Sequence, residues 1–366
     1  MNHLKPLAIV AGALAAKPGN GGHAWARVSF VVGLQRLGFD VVYVEQQPGA
    51  GALEHSYFTS ICSQFHIEGF LLSDGESTAL ARRVAGAALL VNIGGHLTYE
   101  DIKGAARRRV YVDDDPGYTQ LWNQAGLLDG RLDGHDLYLT FGGNIGHEDC
   151  SLPTGGFDWR PMLPPVVLDD WPVAATSFDR FTTVATWRGG YGRVEAGGCL
   201  YGQKAHEFRR FVDMPQLVHE NFEIALDIAD ADSRDGNLLA QKGWRVVDPR
   251  AVASTPDDFR RYVQASGAEF SPAQGIYVET RTGWFSDRTT RYLASGKPAL
   301  VQSTGLADEL PLGDGLITFA TVEQAVAGAN AIICDYDAHA RAARAFAEKH
   351  LDSDRVLGQM LEEAGL

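Results

Sequence analysis

Five stretches of the sequence set titratable side chains beside glycine turns. In KPGNGGHAWAR, residues 17 to 27, Asn20, Gly21 and Gly22 form a turn between an apolar run and a helical pattern. Backbone amides in such a turn can meet a phosphate or a carboxylate at the helix N-terminus. The stretch matches neither GxGxxG nor the P-loop, so a tight structural turn is the competing reading. His23 follows at once and suits a general base, or else a capping or packing role. In VNIGGHL, residues 91 to 97, His96 stands just past a strand, where doubly wound sheets collect their ligands.

The third stretch, YVDDDPGYTQLW, carries Asp113, Asp114 and Asp115. Three adjacent acids repel, so they call for a proton role, a divalent metal or open solvent. Capping of the Pro116-Gly117 turn is the leading reading, a base or hydroxyl-binding role for Asp113 the second, and a metal the last. For acceptor activation, His23 leads and His96 and Asp113 compete. The fourth pairs Arg188 in TWRGGYG (186 to 192) with Lys204 in YGQKAHEF (201 to 208). A guanidinium and an ammonium beside a helix N-terminus make a competent diphosphate clamp; solvated surface charge is the alternative. The fifth, residues 280 to 305, holds the turn Gly283, Trp284, Phe285, Ser286 before a helix opening with Asp287 and Arg288. That helix offers free amides to the same diphosphate.

The elements that must position these groups alternate along the chain. LAIVAGAL (7 to 14), VVYVE (41 to 45), ALLVNI (88 to 93) and RVYVDD (109 to 114) are continuous apolar runs of strand length, separated by helix-length segments. Such runs predict parallel strands buried on both faces, hence a doubly wound α/β domain. Five prolines between residues 149 and 178 break the pattern, and a second series begins at RFTTVATW, residues 180 to 187. We therefore expect an N-terminal domain over 1–175, a second over 176–340 and a terminal helix over 341–366. The length of 366 residues fits two cores.

Composition narrows the function. The net charge of −14 repels a nucleic-acid backbone, and the run Arg107 to Arg109 reads as a solvated helix end, so no duplex is expected as a partner. Cys62, Cys150, Cys199 and Cys334 lie far apart with no metal-ligand spacing, which predicts reduced thiols and no metal centre. The N-terminal apolar run stops at Lys17 and Pro18, far short of the roughly 20 residues of a membrane span, and a cytoplasmic protein is expected.

At residues 280 to 305 the chain resembles the GT-B glycosyltransferases. Gly283 to Ser286 followed by Ala294, Ser295, Gly296, Lys297 and Pro298 matches that group's loop, helix and Ala-x-Gly-x-Pro string. Gly21-Gly22 with LQRLGFDVVYVE is similar to its first strand-to-helix unit, and Arg188 and Lys204 match its basic pair in kind. The resemblance implies two Rossmann-like domains facing across a cleft, with a C-terminal helix crossing back to the first. It implies a metal-independent, hexosyltransferase-like enzyme with no cofactor. The sugar would pass from a UDP or TDP donor in the second domain to a small-molecule or glycan acceptor held by the first. One position departs: many members carry a ribose-binding glutamate where this chain has Arg291, leaving Glu279 or Asp287 as substitutes. Arg288 fits the arginine of a subgroup resembling spore-coat maturation glycosyltransferases. A sugar-nucleotide epimerase of the same plan and a non-enzymatic sugar-binding protein are the alternatives. A nicotinamide enzyme is disfavoured by the missing GxGxxG with its acidic partner.

Overall fold

The computed structural model describes residues 5–75, 77–174, 177–189, 194–196, 198–306 and 310–366. The expected boundary at 175/176 and residues 190–192 of the TWRGGYG loop lie outside the described residues.

Each apolar run of the sequence is a strand. The first sheet contains β1 (Leu7–Ala11), β2 (Asp40–Gln46), β3 (Glu68–Leu72), β4 (Leu89–Ile93), β5 (Arg108–Asp113), β6 (Leu137–Thr140) and β7 (Trp159–Pro161), all parallel, in the order β3-β2-β1-β4-β5-β6-β7. The second part of the chain adds β8 (Phe181–Thr186), the hairpin β9 (Val194–Ala196) and β10 (Cys199–Tyr201), then β11 (Phe222–Asp227), β12 (Trp244–Val247), β13 (Ala268–Ser271), β14 (Ala299–Gln302) and β15 (Leu316–Phe319). Its sheet runs β12-β11-β8-β13-β14-β15, again parallel. Winding reverses between β1 and β4 and between β8 and β13, and ligands of doubly wound sheets gather at such switch points. The proline-rich junction is not wholly irregular, because β7 forms an edge strand within it, where Pro161 costs no ladder bond inside the sheet.

Eight helices matter for the site: α1 (Gly21–Arg36), α2 (Tyr118–Gln124), α3 (Lys204–Phe208), α4 (Pro256–Gln264), α5 (Gly275–Glu279), α6 (Asp287–Ala294), α7 (Tyr336–His350) and α8 (Ser353–Glu363). Asn20 Oδ1 accepts from His23 N at 3.0 Å and starts α1; Ser286 Oγ caps α6 in the same way. The chain crosses back at Leu351 rather than at residue 341, because α7 still packs on α6, with Phe346 stacked parallel to Phe285. Val166 bonds Leu351 and Ser353 on either side of the crossing, each at 2.9 Å. Beyond it α8 lies on α1, where a Cβ on Gly33 would stand 2.4 Å from Leu357.

The two expected cores are not separate. One cluster unites Trp25 of α1, Trp171, Phe259 of α4, Phe285 and Phe346, so the first sheet's core runs on into the second domain. A second, around Phe208, Phe222, Trp244 and Phe270, belongs to the second sheet.

Candidate functional site

The carboxyl edge of the first sheet is built from Glu45 upward. At the end of β2 its buried carboxylate accepts from the amides of Leu14, Ala15 and Ala16 at 2.8, 2.5 and 2.9 Å, which fixes the loop leaving β1. The carbonyl of Ala13 in that loop lies 2.6 Å from His23 Nε2. A carbonyl only accepts, so Nε2 carries the hydrogen and Nδ1 keeps the lone pair. Burial, aided by the Arg27 charge, holds His23 well below its usual 6.5.

His96 comes to the same place from β4. Gly94 and Gly95 turn the chain at φ +65° and +64°, a conformation open to glycine, and a Cβ on Gly95 would press within 2.8 Å of the Arg131 carbonyl. A Cβ on Gly94 would lie 3.0 Å from His96 Nε2 and 3.5 Å from Asp114 Oδ1, so imidazole and carboxylate flank one point. Burial pulls His96 down to about 4 against the opposing pull of Asp114. Both imidazoles are therefore neutral at pH 7. Asp114 is in turn bound by Arg27 at 2.6 Å. The Arg27 side chain is buried, and its Nε–H has no partner among the described residues.

The three aspartates have three different fates. Asp113 accepts from Thr119 Oγ1 (2.7 Å), Gln120 Nε2 (2.8 Å), Thr140 Oγ1 (2.9 Å) and the Asp115 amide (3.2 Å), and is fully buried. With those bonds made it has no face for a substrate; it ties β5, β6 and α2 together, which corrects its candidacy as a base. Burial pushes it up to about 6. Asp114 serves Arg27. Asp115 accepts from the Tyr277 hydroxyl of the second domain and is pushed up to about 7 by burial. Among the described residues no three His, Cys, Asp or Glu side chains converge as a metal site.

On the opposite edge, Lys204 Nζ donates to the Pro272 carbonyl at 2.8 Å, just past β13. Burial, with Arg288 nearby, lowers it to about 7. Arg288 itself is held by Glu269 at 2.7 Å, by the Val184 carbonyl at 3.0 Å and by Ser271, so its donors face the sheet rather than a ligand. Arg188 points outward and is paired with Asp232 at 2.6 and 2.8 Å. Arg188 and Lys204 thus have separate partners.

The glycine-rich loops prove to be seams between the domains. Gly21 N donates to the Ala253 carbonyl at 2.8 Å, a Cβ there would fall 2.0 Å from the Thr255 carbonyl oxygen, and one on Gly22 would touch the Phe259 ring at 3.0 Å. These glycines admit the start of α4, and Asn20 is occupied as a cap, which removes the phosphate-loop reading. Gly283 and Trp284 run beside Gly142 to Asn144 of the first domain: Asn144 N reaches the Thr282 carbonyl at 2.9 Å and Phe285 N the Phe141 carbonyl at 3.2 Å. Phe285 is buried, and Trp284 stacks on Tyr277 at 4.4 Å. Ser286 caps α6, and the charge of Asp287 reaches Arg27. Arg291 bonds the Trp25 carbonyl (3.1 Å) and Ser29 Oγ (3.0 Å) of α1, so it clasps the domains.

The structure thus gathers His23, His96, Arg27 and Asp114 on one edge and Lys204 on the other. The sequence reading missed Arg27, Glu45 and Tyr277. Arg27 follows His23 by four residues and so shares its face of α1, a signal that was available; the other two depend on partners distant in sequence.

Two facing doubly wound sheets with a returning C-terminal helix define the GT-B fold, and solved structures of that fold superpose on the whole chain. Anabaena HepE in complex with UDP and glucose matches at a TM-score of 0.61 and 12% identity, over 99% of this chain and 100% of its own. A glycosyltransferase from Rickettsia africae matches at 0.60 and 11%, over 99% and 98%. Sucrose-phosphate synthase from Thermosynechococcus elongatus matches at 0.56 and 11%, over 98% and 99%. No protein-family model matches the sequence, and no curated protein does.

Proposed function

We infer that the protein is a glycosyltransferase that moves a hexose from a nucleoside diphosphate donor to a small-molecule or glycan acceptor. UDP is the first choice of nucleotide and TDP the second. The observation that carries this reading is a pair of switch points, with an oriented His23 at the edge of the first sheet and Lys204 beside the end of β13 in the second. In an inverting transfer, His23 Nδ1 takes the acceptor proton as the acceptor oxygen bonds the anomeric carbon. The bond from that carbon to the diphosphate breaks, and its electron pair leaves on a phosphate oxygen met by Lys204 and Arg27. His96 and Asp114 hold the neighbouring wall. These cations take the place a divalent metal would have. The UDP and glucose held by HepE, on the same fold, support the choice of donor. No helix among the described residues is long and apolar enough to cross a membrane.

A thermal-shift panel of UDP, TDP, UDP-glucose and NAD(P) tests the reading, since a ligand at 100 times its Kd adds about 2.7 kcal/mol of stability. Stabilisation by NAD(P) alone would refute it. UDP release that requires an acceptor separates transfer from epimerisation and from simple sugar binding.

A further inference from the structure

A cavity of about 470 Å³ opens where the β6–β7 edge, the interdomain seam and α8 meet, and neither His23 nor Lys204 lines it. Its volume is that of a small-molecule site. Phe141, Met162, Leu306 and Met360 supply apolar lining, and Asn144, His147 and Gln359 supply polar lining beside them. His350, lowered by burial and therefore neutral at pH 7, closes one side.

Three charged side chains reach this space. Glu363 faces Arg160 at 3.8 Å. Asp149 is exposed at the rim, with no cation within 4.0 Å among the described residues. Arg281 has no carboxylate within that distance among the described residues, although its position in the chain is closely controlled. Its backbone stands at φ +54°, a left-handed conformation that favours glycine or asparagine. Asn144 Nδ2 holds its carbonyl at 3.0 Å and that of Gly305 at 2.5 Å, and a Cβ on Gly305 would lie 3.2 Å from Arg281 Cβ. Arg281 is exposed at the cavity, fixed in its backbone position and without a carboxylate partner among the described residues, so its guanidinium can meet an anion there.

We propose that this cavity binds an amphipathic monoacid, its apolar body between Phe141, Met162, Leu306 and Met360 and its carboxylate or phosphate on Arg281. That the occupant is the acceptor rests on the glycosyltransferase reading; that it binds does not.

Calorimetry on the full chain with octanoate, octyl phosphate, octanol and octylamine tests this. One of the two anions is expected to bind at least about tenfold more tightly than octanol, and octylamine more weakly than either, with octanoate against octyl phosphate deciding which acid is preferred. Arg281→Gln should bring the better anion down to the level of octanol. Met162→Trp, or Gln359→Trp at an exposed position of α8 should the first fail to fold, should abolish binding of all four. UDP stabilisation measured on the same variants should stay at the wild-type value, which separates this site from the donor site. Equal binding of anion and alcohol, or an anion preference that survives Arg281→Gln, would overturn the proposal.

Discussion

The hydroxyl of Tyr277 donates a hydrogen bond to Asp115, joining α5 of the second domain to the end of β5 in the first. Beside it Tyr118 Oη meets Gln274 Oε1 at 2.8 Å, so two bonds fasten the same stretch of the cleft. Asp115 lies next to Asp113 and Asp114 and within reach of Arg27, and burial is the main reason it is pushed up to about 7.

That shift makes the latch sensitive to pH. A carboxyl raised from about 3.8 to about 7 on folding contributes stability that is fully present below about 4 and lost as pH rises through 7. Asp115→Asn keeps an oxygen for Tyr277 and cannot ionise. Relative to wild type, the variant should gain on the order of 1 to 3 kcal/mol between pH 5 and pH 8. Urea unfolding of both proteins at the two values measures this, and a difference that is flat or of opposite sign contradicts it.

Gly21→Ala asks whether the first glycine turn is a ligand loop or a packing contact. The new methyl would meet the backbone of Thr255 and Pro256, which cannot swing aside as a side chain can. Overpacking of this kind costs about 1 to 3 kcal/mol. We expect the melting temperature to fall while UDP, if saturating, still raises it by the wild-type increment. A variant of unchanged stability that no longer responds to UDP would restore the phosphate-loop reading.

The strands were legible because a parallel strand covered on both faces is written as an unbroken apolar run; β1 and β4 are buried along nearly their whole length. The loops were not. Glycine reports that something approaches the backbone closely, without saying what, and at Gly21, Gly22 and Gly283 the visitor is the other domain. Charge was read as ligand chemistry for the same reason. Arg188 finds Asp232 and Arg291 finds the carbonyl of Trp25, partners 44 and 266 residues away that no local pattern announces. Asp113 stood in a conspicuous acidic run, yet its donors include Thr140, 27 residues distant, and only the sheet brings them together.

Lys204, on the Pro272 carbonyl just past β13, is the cation of the proposed donor site, and its behaviour should differ from that of Arg188. Lys204→Met is expected to weaken UDP binding about tenfold, the value of one charge-assisted bond, with little effect on uridine. Arg188→Ala should leave both nearly unchanged, because its guanidinium is already engaged by Asp232. Lowered to about 7, Lys204 loses its charge as pH rises, so free enzyme should bind UDP less well at pH 8.5 than at pH 6.5, and Lys204→Arg should flatten that slope. A steep slope retained in Lys204→Arg would assign the titration elsewhere.

Turnover should survive chelation. Asp113 is saturated by four donors, Asp114 is paired with Arg27 and Asp115 accepts from Tyr277, so all three acids are already engaged by the protein. Loss of activity in EDTA with recovery in Mg²⁺ or Mn²⁺ would show that the acids change partners when substrate binds.

His23→Ala should lower kcat by 10²- to 10⁴-fold, the usual cost of losing a general base, while UDP stabilisation is retained. The Ala13 carbonyl fixes the tautomer at Nε2 and leaves Nδ1 to accept the proton, and among the described residues no such carbonyl holds His96. Because burial holds His23 well below 6.5, it is already neutral at pH 6.5, so kcat should be level from there to pH 8 and fall only under more acid conditions. The low value also makes it a weak base in the ground state, so its usefulness depends on the charge that develops on the acceptor oxygen as the glycosidic bond forms. His96→Ala, run in parallel, separates the two imidazoles: His96 faces Asp114 across Gly94 and should affect acceptor KM more than kcat. A full-rate His23→Ala enzyme with a slow His96→Ala counterpart would transfer the role to His96.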